Sequence, residues 1–261
     1  MTPQDGAKRE MEGETMTDRK ISVVTCLWNN MRYWKTFYTS LKARSMKIDE
    51  LIVVDNGLTD DTSRIPEECP DVRFIRLPEN RFEGGGVAVA MKEATGDLVF
   101  KCDPDIEFLS ARWMEDMIEE LDRTELVGAV VNEPYFWPRL EHRSYTEASV
   151  LIGTLFLLER RVMDRCGVWD PGLKYGTNEF DYGIRMRRAG FTIAITDKIP
   201  IIHFNHHIRM RAMKAFDVGP LIEESWKALH AKMGTKDYWE LKENIRFKGN
   251  WDEQSKPPTE D

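Results

Sequence analysis

The sequence contains few cysteines and no excess of positive charge. Its cysteines lie far apart and lack the spacing of a metal-binding motif; they are Cys26, Cys69, Cys102 and Cys166. Cys26 and Cys102 fall in or beside apolar runs, where a free thiol behaves as a small hydrophobic side chain, so we expect a reducing, cytoplasmic environment. The formal net charge of −8 at pH 7 argues against a protein that binds duplex nucleic acid through phosphate contacts.

Long apolar segments are also missing. The longest apolar run, residues 150–158, is too short to cross a bilayer. Residues 1–20 are polar and lack the apolar core of a signal peptide, so we expect a flexible N-terminal extension over residues 1–19. The chain of 261 residues is 41% hydrophobic, which is enough for a sizeable core in one or two domains. Peripheral contact with a membrane through C-terminal helices stays open.

Short apolar segments alternate with helical patterns in the first hundred residues. The predicted strands span residues 21–28, 51–54, 72–77 and 96–100. Helical patterns begin after the first strand and at Gly84-Gly85-Gly86. This order is typical of a mostly parallel α/β sheet with helices on its faces. Because ligands bind at the carboxyl ends of the strands in such sheets, Asn29, Asp55 and Asp103 should converge on one crevice.

Two carboxylates, Asp103 and Asp105, flank Pro104 directly after the fourth predicted strand. Residues two apart in an extended segment point the same way, and the proline stiffens this one. Two like charges held so close repel each other unless a cation joins them, and carboxylate oxygens suit Mg²⁺ or Mn²⁺. Acidic pairs are also common in solvated loops and helix caps, so the surrounding sequence decides the interpretation.

The second half of the chain is less regular. Residues 132–148 are rich in proline, aromatic and charged residues and predict a loop, either functional or an ordinary surface excursion. We expect further strands at residues 127–131, 150–158, 191–195 and 200–204, helices at 178–188 and 221–245, and a polar tail at 248–261.

Several short motifs occur in a fixed order between residues 20 and 207. They are Trp28-Asn29, Val53-Val54-Asp55-Asn56-Gly57, Asn80 with Gly84-Gly85-Gly86, Asp103-Pro104-Asp105, Gly153-Thr154-Leu155-Phe156, Gly167-Val168-Trp169-Asp170, Asn178-Glu179-Phe180-Asp181 and His203. This set resembles the inverting nucleotide-sugar glycosyltransferases of family 2. The resemblance implies the GT-A fold, an α/β, Rossmann-like fold with a mixed, mostly parallel sheet flanked by helices. It also implies a domain over residues 20–210, with a nucleotide-binding half at 20–108, an acceptor half at 109–210 and C-terminal helices at 211–247.

The resemblance assigns the donor contacts mainly to the first half of this domain. Asp55 would accept the N3–H of uracil or thymine, although an aspartate here is also typical of a plain turn. Asp103, Asp105 and His203 would hold Mn²⁺ or Mg²⁺, with a core histidine as the alternative for His203. The implied donor-binding residues are Thr25, Trp28, Asn29, Asp55, Asn80, Gly85 and Asp103. His206, His207, Arg209 and Arg211 could clamp the diphosphate or form a solvated loop.

Inversion by direct displacement needs a base that takes the proton of the acceptor hydroxyl. The family places this base in an acidic pair at a helix start, followed by another aspartate. Here Glu179 stands where aspartate is usual, and Asn178 replaces the first acid. The resemblance therefore implies Glu179 as the base and Asp181 as the alternative, while both could simply favour the helix N-terminus. The implied acceptor-side residues are Gly153, Thr154, Trp169 and Asp170.

The sequence thus predicts an enzyme, a metal-dependent inverting glycosyltransferase that uses a UDP- or dTDP-sugar and a saccharide or other hydroxyl acceptor. One alternative is a catalytically silent module that binds nucleotide sugars or glycans. A transferase that modifies a nucleic-acid base is disfavoured by the acidic charge. A nucleotidyltransferase is disfavoured because residues 28–32 are not a glycine-rich basic loop.

Overall fold

The computed structural model describes residues 19–43, 46–57, 62–121, 126–129, 145–148, 151, 153–196, 198–204, 218–234 and 247–249. Most of the predicted N-terminal extension, most of the loop at 132–148, the cationic cluster at 206–211 and the tail beyond 249 lie outside the described residues. Within the described part of the chain, no helix is both long and apolar enough to span a bilayer.

Strands and helices alternate in the first half of the chain, as predicted. The elements are β1 (Ile21–Leu27), α1 (Met31–Ala43), β2 (Glu50–Asp55), a 3-10 turn (Thr62–Arg64), α2 (Ile65–Glu68), β3 (Val72–Arg76), α3 (Phe82–Glu93), β4 (Leu98–Cys102) and β5 (Ile106–Phe108). The second half adds α4 (Trp113–Leu121), β6 (Leu126–Ala129), β7 (Tyr145–Ala148), β8 (Leu155–Glu159), α5 (Arg160–Cys166), α6 (Asn178–Arg188), β9 (Ile193–Thr196), β10 (Ile201–His203), α7 (Val218–Met233) and β11 (Phe247–Gly249).

The main sheet has the strand order β11-β7-β9-β6-β8-β4-β1-β2-β3. β4, β1, β2 and β3 run parallel to one another, while β8 pairs antiparallel with both β4 and β6. The carboxyl ends of β1, β2 and β4 therefore lie at one edge of the sheet, where the ligand crevice is expected. The predicted α/β class, a mixed sheet flanked by helices, is confirmed.

Alternation along the strands divides the core into two layers. On β1, Val23 faces the layer that α1 and α4 cover, and Val24 faces the layer that α3, α5 and α6 cover. Residues two apart on a strand share a face, so each buried strand supplies both layers. A smaller cluster joins Leu229 and Met233 of α7 to Ile184 of α6. α7 is thereby fixed to the helix that carries Glu179.

A turn, rather than the predicted extended segment, carries the two aspartates after β4. Pro104 and Asp105 occupy this turn, and the chain then forms β5, which pairs antiparallel with β10 in a separate two-stranded sheet. The turn separates β4, in the main sheet, from β5, in the two-stranded sheet. Its hydrogen bonds, Asp103 N to Thr154 O (2.8 Å) and Phe204 N to Asp105 O (2.9 Å), tie it to both neighbouring segments.

Candidate active site

Three potential metal ligands come together where β5 and β10 pair. The Nε2 atom of His203 lies 3.3 Å from Oδ2 of Asp105 and 3.8 Å from Oδ2 of Asp103. One ligand atom from each of the three residues lies within 4.8 Å of the others. Asp105 and His203 are buried, and Asp103 is partly exposed. Two carboxylate oxygens and an imidazole nitrogen form a donor set that suits Mn²⁺ or Mg²⁺, so the cluster fits a divalent ion.

A buried lysine, Lys101, lies directly beside this cluster. Its Nζ atom donates hydrogen bonds to Oδ1 of Asp103 and to the carbonyl oxygen of Gly153. Burial alone would lower the pKa of the Lys101 ammonium, but the charges of Asp103 and Glu83 more than offset this, and its pKa lies above the ordinary value. The surroundings of Lys101 therefore favour its charged form next to the possible metal ligands.

Glu179 lies in the first turn of α6 and packs against Gly153. A Cβ atom added at Gly153 would stand 2.8 Å from Cγ and 2.9 Å from Cδ of Glu179, so the glycine leaves room for the carboxylate. Burial raises the pKa of the Glu179 carboxyl; its own backbone amide and Lys101 oppose the rise, and Asp103 adds to it. A carboxylate with a raised pKa is suited to accept a proton near neutral pH.

Asp181, two residues later on α6, is buried and held in ion pairs. Its Oδ2 accepts a hydrogen bond from Nε of Arg185 at 2.8 Å, and its Oδ1 lies 2.6 Å from Nζ of Lys232 on α7. Both carboxylate oxygens are thus engaged with cations. This geometry favours Glu179 over Asp181 as a proton acceptor.

The comparison with known families decides which family the chain belongs to. The model of glycosyl transferase family 2 matches residues 22–219, which include the aspartate turn, His203 and the whole of α6. The chain belongs to this family.

Similar proteins agree with this assignment. The uncharacterized glycosyltransferase alr2836 of Nostoc sp. (strain PCC 7120) is 26% identical over 115 residues, which are 42% of this chain and 35% of the relative. The chain thus corresponds to well under half the length of that relative.

Two solved structures share the fold. The mannosyltransferase PcManGT of Pyrobaculum calidifontis, in complex with GDP-Man and Mn²⁺, has 16% identity and a TM-score of 0.60 over 86% of this chain and 79% of its own. TarS 1–349 of S. aureus, in complex with UDP-GlcNAc, has 17% identity and a TM-score of 0.56 over 69% of this chain and 56% of its own. At these identities the likeness shows the fold alone, and it confirms the predicted GT-A architecture.

The predicted donor-binding residues lie at or near the carboxyl ends of β1, β2 and β4. Asp55 is buried at the end of β2, where its Oδ2 accepts hydrogen bonds from Nε of Arg76 at 2.7 Å and from Oγ1 of Thr62 at 3.2 Å. Thr25 is buried on β1, and its hydroxyl has no hydrogen-bond partner among the described residues. The remaining predicted donor residues are half-buried or buried near this edge: Trp28 and Asn29 after β1, Asn80 before α3, and Gly85 in the first turn of α3.

The predicted acceptor residues of this family 2 chain divide into two groups. Gly153 and Thr154 border the possible metal ligands, because Nζ of Lys101 donates to the carbonyl oxygen of Gly153 and N of Asp103 donates to that of Thr154. Trp169 instead lies in the core, stacked on Phe156 with a centroid distance of 6.0 Å. Asp170 is half-buried, and its Oδ2 lies 2.6 Å from Nζ of Lys232. Acceptor contacts by all four residues remain predictions.

Four further residues shape the site without having been given a role from the sequence. They are Lys101, Asn56, Glu83 and Lys232. Lys101 could have been noticed as a single charge in an otherwise apolar strand. Asn56 follows a predicted ligand directly, but its bonds to Arg81 N and Phe82 O, both 2.8 Å, join positions 25 residues or more apart. No local pattern reveals contacts of that kind.

Proposed function

We propose that this chain is a metal-dependent inverting glycosyltransferase that moves a sugar from a UDP- or dTDP-sugar to an acceptor hydroxyl. The observation that carries the proposal is the position of Gly153. Its carbonyl oxygen accepts a hydrogen bond from Lys101, which also binds Asp103, and its Cα lies against Glu179. The possible metal ligands and the candidate base therefore border the same short segment.

The residues divide the chemistry between them. Asp103, Asp105 and His203 would hold a divalent ion, and such an ion would supply positive charge to offset the charge that develops on the leaving nucleoside diphosphate. Glu179 takes the proton of the acceptor hydroxyl while that oxygen attacks the anomeric carbon. The bond between this carbon and the diphosphate oxygen breaks on the opposite face, so a single displacement inverts the configuration.

Asp55 supports a uridine or thymidine donor. Arg76 and Thr62 fix its buried carboxylate at the end of β2, and a carboxylate oxygen can accept the N3–H of either pyrimidine. The two similar structures differ in the nucleotide sugar that they contain, since one was solved with GDP-Man and the other with UDP-GlcNAc. The preference for uridine or thymidine is therefore argued from Asp55 and not from the neighbours.

The test compares two variants in a panel of nucleotide sugars with Mn²⁺. Asp105→Asn should lose Mn²⁺-dependent stabilisation by UDP and most donor turnover, because it removes one charged ligand from the cluster. Glu179→Gln should keep the stabilisation by UDP and Mn²⁺ while donor turnover falls by about 10²–10⁴-fold, the usual contribution of a general base. Melting temperature and release of nucleoside diphosphate are the two measurements.

Glu107→Gln is the matched control, because Glu107 is a partly exposed carboxylate on β5, two residues from Asp105, between buried Ile106 and Phe108. It should behave like the unchanged protein. Full turnover by Glu179→Gln would place the base elsewhere. UDP and Mn²⁺ binding with no turnover of any nucleotide sugar by the unchanged protein would favour the silent binding module.

A further inference from the structure

Lys101 is a charged residue inside the core, on the strand that leads to the possible metal ligands. Its side chain is 1% exposed. An ammonium group has three N–H donors. Two oxygens accept from it, Oδ1 of Asp103 and O of Gly153, and the ring centroid of Trp169 lies 5.1 Å from Nζ. The amine is therefore held in one position by partners around it.

The two oxygens of the Asp103 carboxylate have different partners. Oδ1 pairs with Lys101, whereas Oδ2 faces Nε2 of His203 at 3.8 Å. A cation that binds between Asp103, Asp105 and His203 would use Oδ2 and would share this carboxylate with the ammonium. The metal site thus has one of its two negative charges already offset by a fixed positive charge.

We propose that Lys101 weakens the binding of a divalent ion to the nucleotide-free protein, so that the ion is retained chiefly together with the diphosphate of the donor. This inference rests on the proposed function. Lys101 reduces the summed charge of Asp103 and Asp105 from two negative charges to one. A bound diphosphate adds negative charge, which replaces the charge of Asp103 that Lys101 offsets. It is attracted by the ion and by Lys101 alike.

The size of the effect follows from the charges. A metal–oxygen bond of about 2.1 Å on the far side of Asp103 leaves about 5–6 Å between the ion and the ammonium. A divalent and a monovalent cation at that separation repel each other enough to change affinity about tenfold even at the dielectric constant of water. In a partly buried site the repulsion is larger, so tenfold is a lower estimate.

The experiment measures binding of Mn²⁺ alone and of UDP alone by calorimetry. In Lys101→Met, Mn²⁺ should bind the nucleotide-free protein about tenfold more tightly or better, and metal-free UDP should bind several-fold more weakly. General damage to the fold would weaken both ligands, so the opposite signs are the signature of charge removal. Lys101→Gln is neutral but keeps a donor for the carbonyl of Gly153, and it should give the same pair of changes. Lys42→Met, which removes a half-exposed partner of Asp71, is the control and should change neither affinity.

The outcomes separate this inference from the proposed function. If the unchanged protein binds no Mn²⁺ even with UDP, and Asp105→Asn changes nothing, the metal site itself is refuted. If Mn²⁺ binds the unchanged protein with UDP, but both Lys101 variants bind Mn²⁺ alone no more tightly, the role of Lys101 is refuted while the metal site stands. Should neither variant fold, the unchanged protein decides, because equal Mn²⁺ affinity with and without UDP contradicts the proposal.

Discussion

Replacing Gly153 with alanine should disable the candidate base without disturbing the nucleotide site. The added Cβ would stand 2.8 Å from Cγ and 2.9 Å from Cδ of Glu179, and closer still to Oε1, whereas ordinary contacts begin near 3.4 Å. The atoms that it meets are the far end of a flexible, half-buried side chain, so the carboxylate can move away and the fold can persist. Glu179 must then shift by roughly 1 Å, and a misplacement of that size costs about 10²-fold in rate.

The assay measures the turnover number for a nucleotide sugar and, separately, the affinity for UDP with Mn²⁺. Gly153→Ala should lower the turnover number about 100-fold and leave the affinity within about twofold. Shortening the displaced side chain supplies the internal control: Glu179→Asp added to Gly153→Ala should recover part of the lost rate, because aspartate lacks the methylene that meets the new Cβ. Unchanged turnover in Gly153→Ala, or a double variant no faster than the single one, would refute the steric argument.

Two further predictions concern stability. Lys232→Met should lower the free energy of unfolding by about 1–3 kcal/mol, because buried Asp181 loses the cation at its Oδ1. The control is Lys227→Met, on the exposed side of the same helix, which should lower it by less than about 0.5 kcal/mol. Equal losses for the two variants in urea unfolding would contradict the prediction. Glu83→Gln should flatten the pH dependence of stability. Burial raises the pKa of Glu83 from 4.5 to about 8, so the folded state holds a proton that the unfolded state releases, and stability falls as pH rises across that range. Melting curves of the metal-free protein and its variant across this range provide the measurement, and parallel pH profiles would contradict the prediction.

The parallel half of the fold was accessible from the sequence because each element has a strong local signal. β1 and β4 are nearly continuous apolar runs, as expected for strands covered on both faces. The limits of α6, Asn178–Arg188, agree with the helical pattern and the glycine that follows it. β7 was missed, since residues 145–148 fall within a segment whose prolines and aromatic residues predict a loop. Its pairing with β9 and β11 is a tertiary effect that overrides local preference.

The positions of the possible metal ligands were predictable only in part. The two-residue spacing of Asp103 and Asp105 predicts that they act as a pair, although the segment that joins them is a turn and not extended. His203 lies about a hundred residues further along, and only the antiparallel pairing of β10 with β5 brings it to Asp105. Lys101 binds one partner in its own segment, Asp103, and another, the carbonyl oxygen of Gly153, that lies 52 residues further along the chain. A sequence shows which side chains carry charge, but the fold decides which charges meet.

The start of α3 illustrates how side chains, and not local propensity, can fix the backbone of a site. Phe82 has a positive φ of 58°. This conformation costs a non-glycine residue about 1–3 kcal/mol, so it persists only where the surrounding contacts hold it. Two amide side chains do so: Oδ1 of Asn80 accepts from Phe82 N at 2.8 Å, and Nδ2 of Asn56 donates to Phe82 O at 2.8 Å. Asn56 comes from the end of β2, directly after Asp55. The segment that carries Asp55, the residue predicted to bind the nucleobase, therefore also sets where α3 begins, and with it the positions of Glu83 and Gly85.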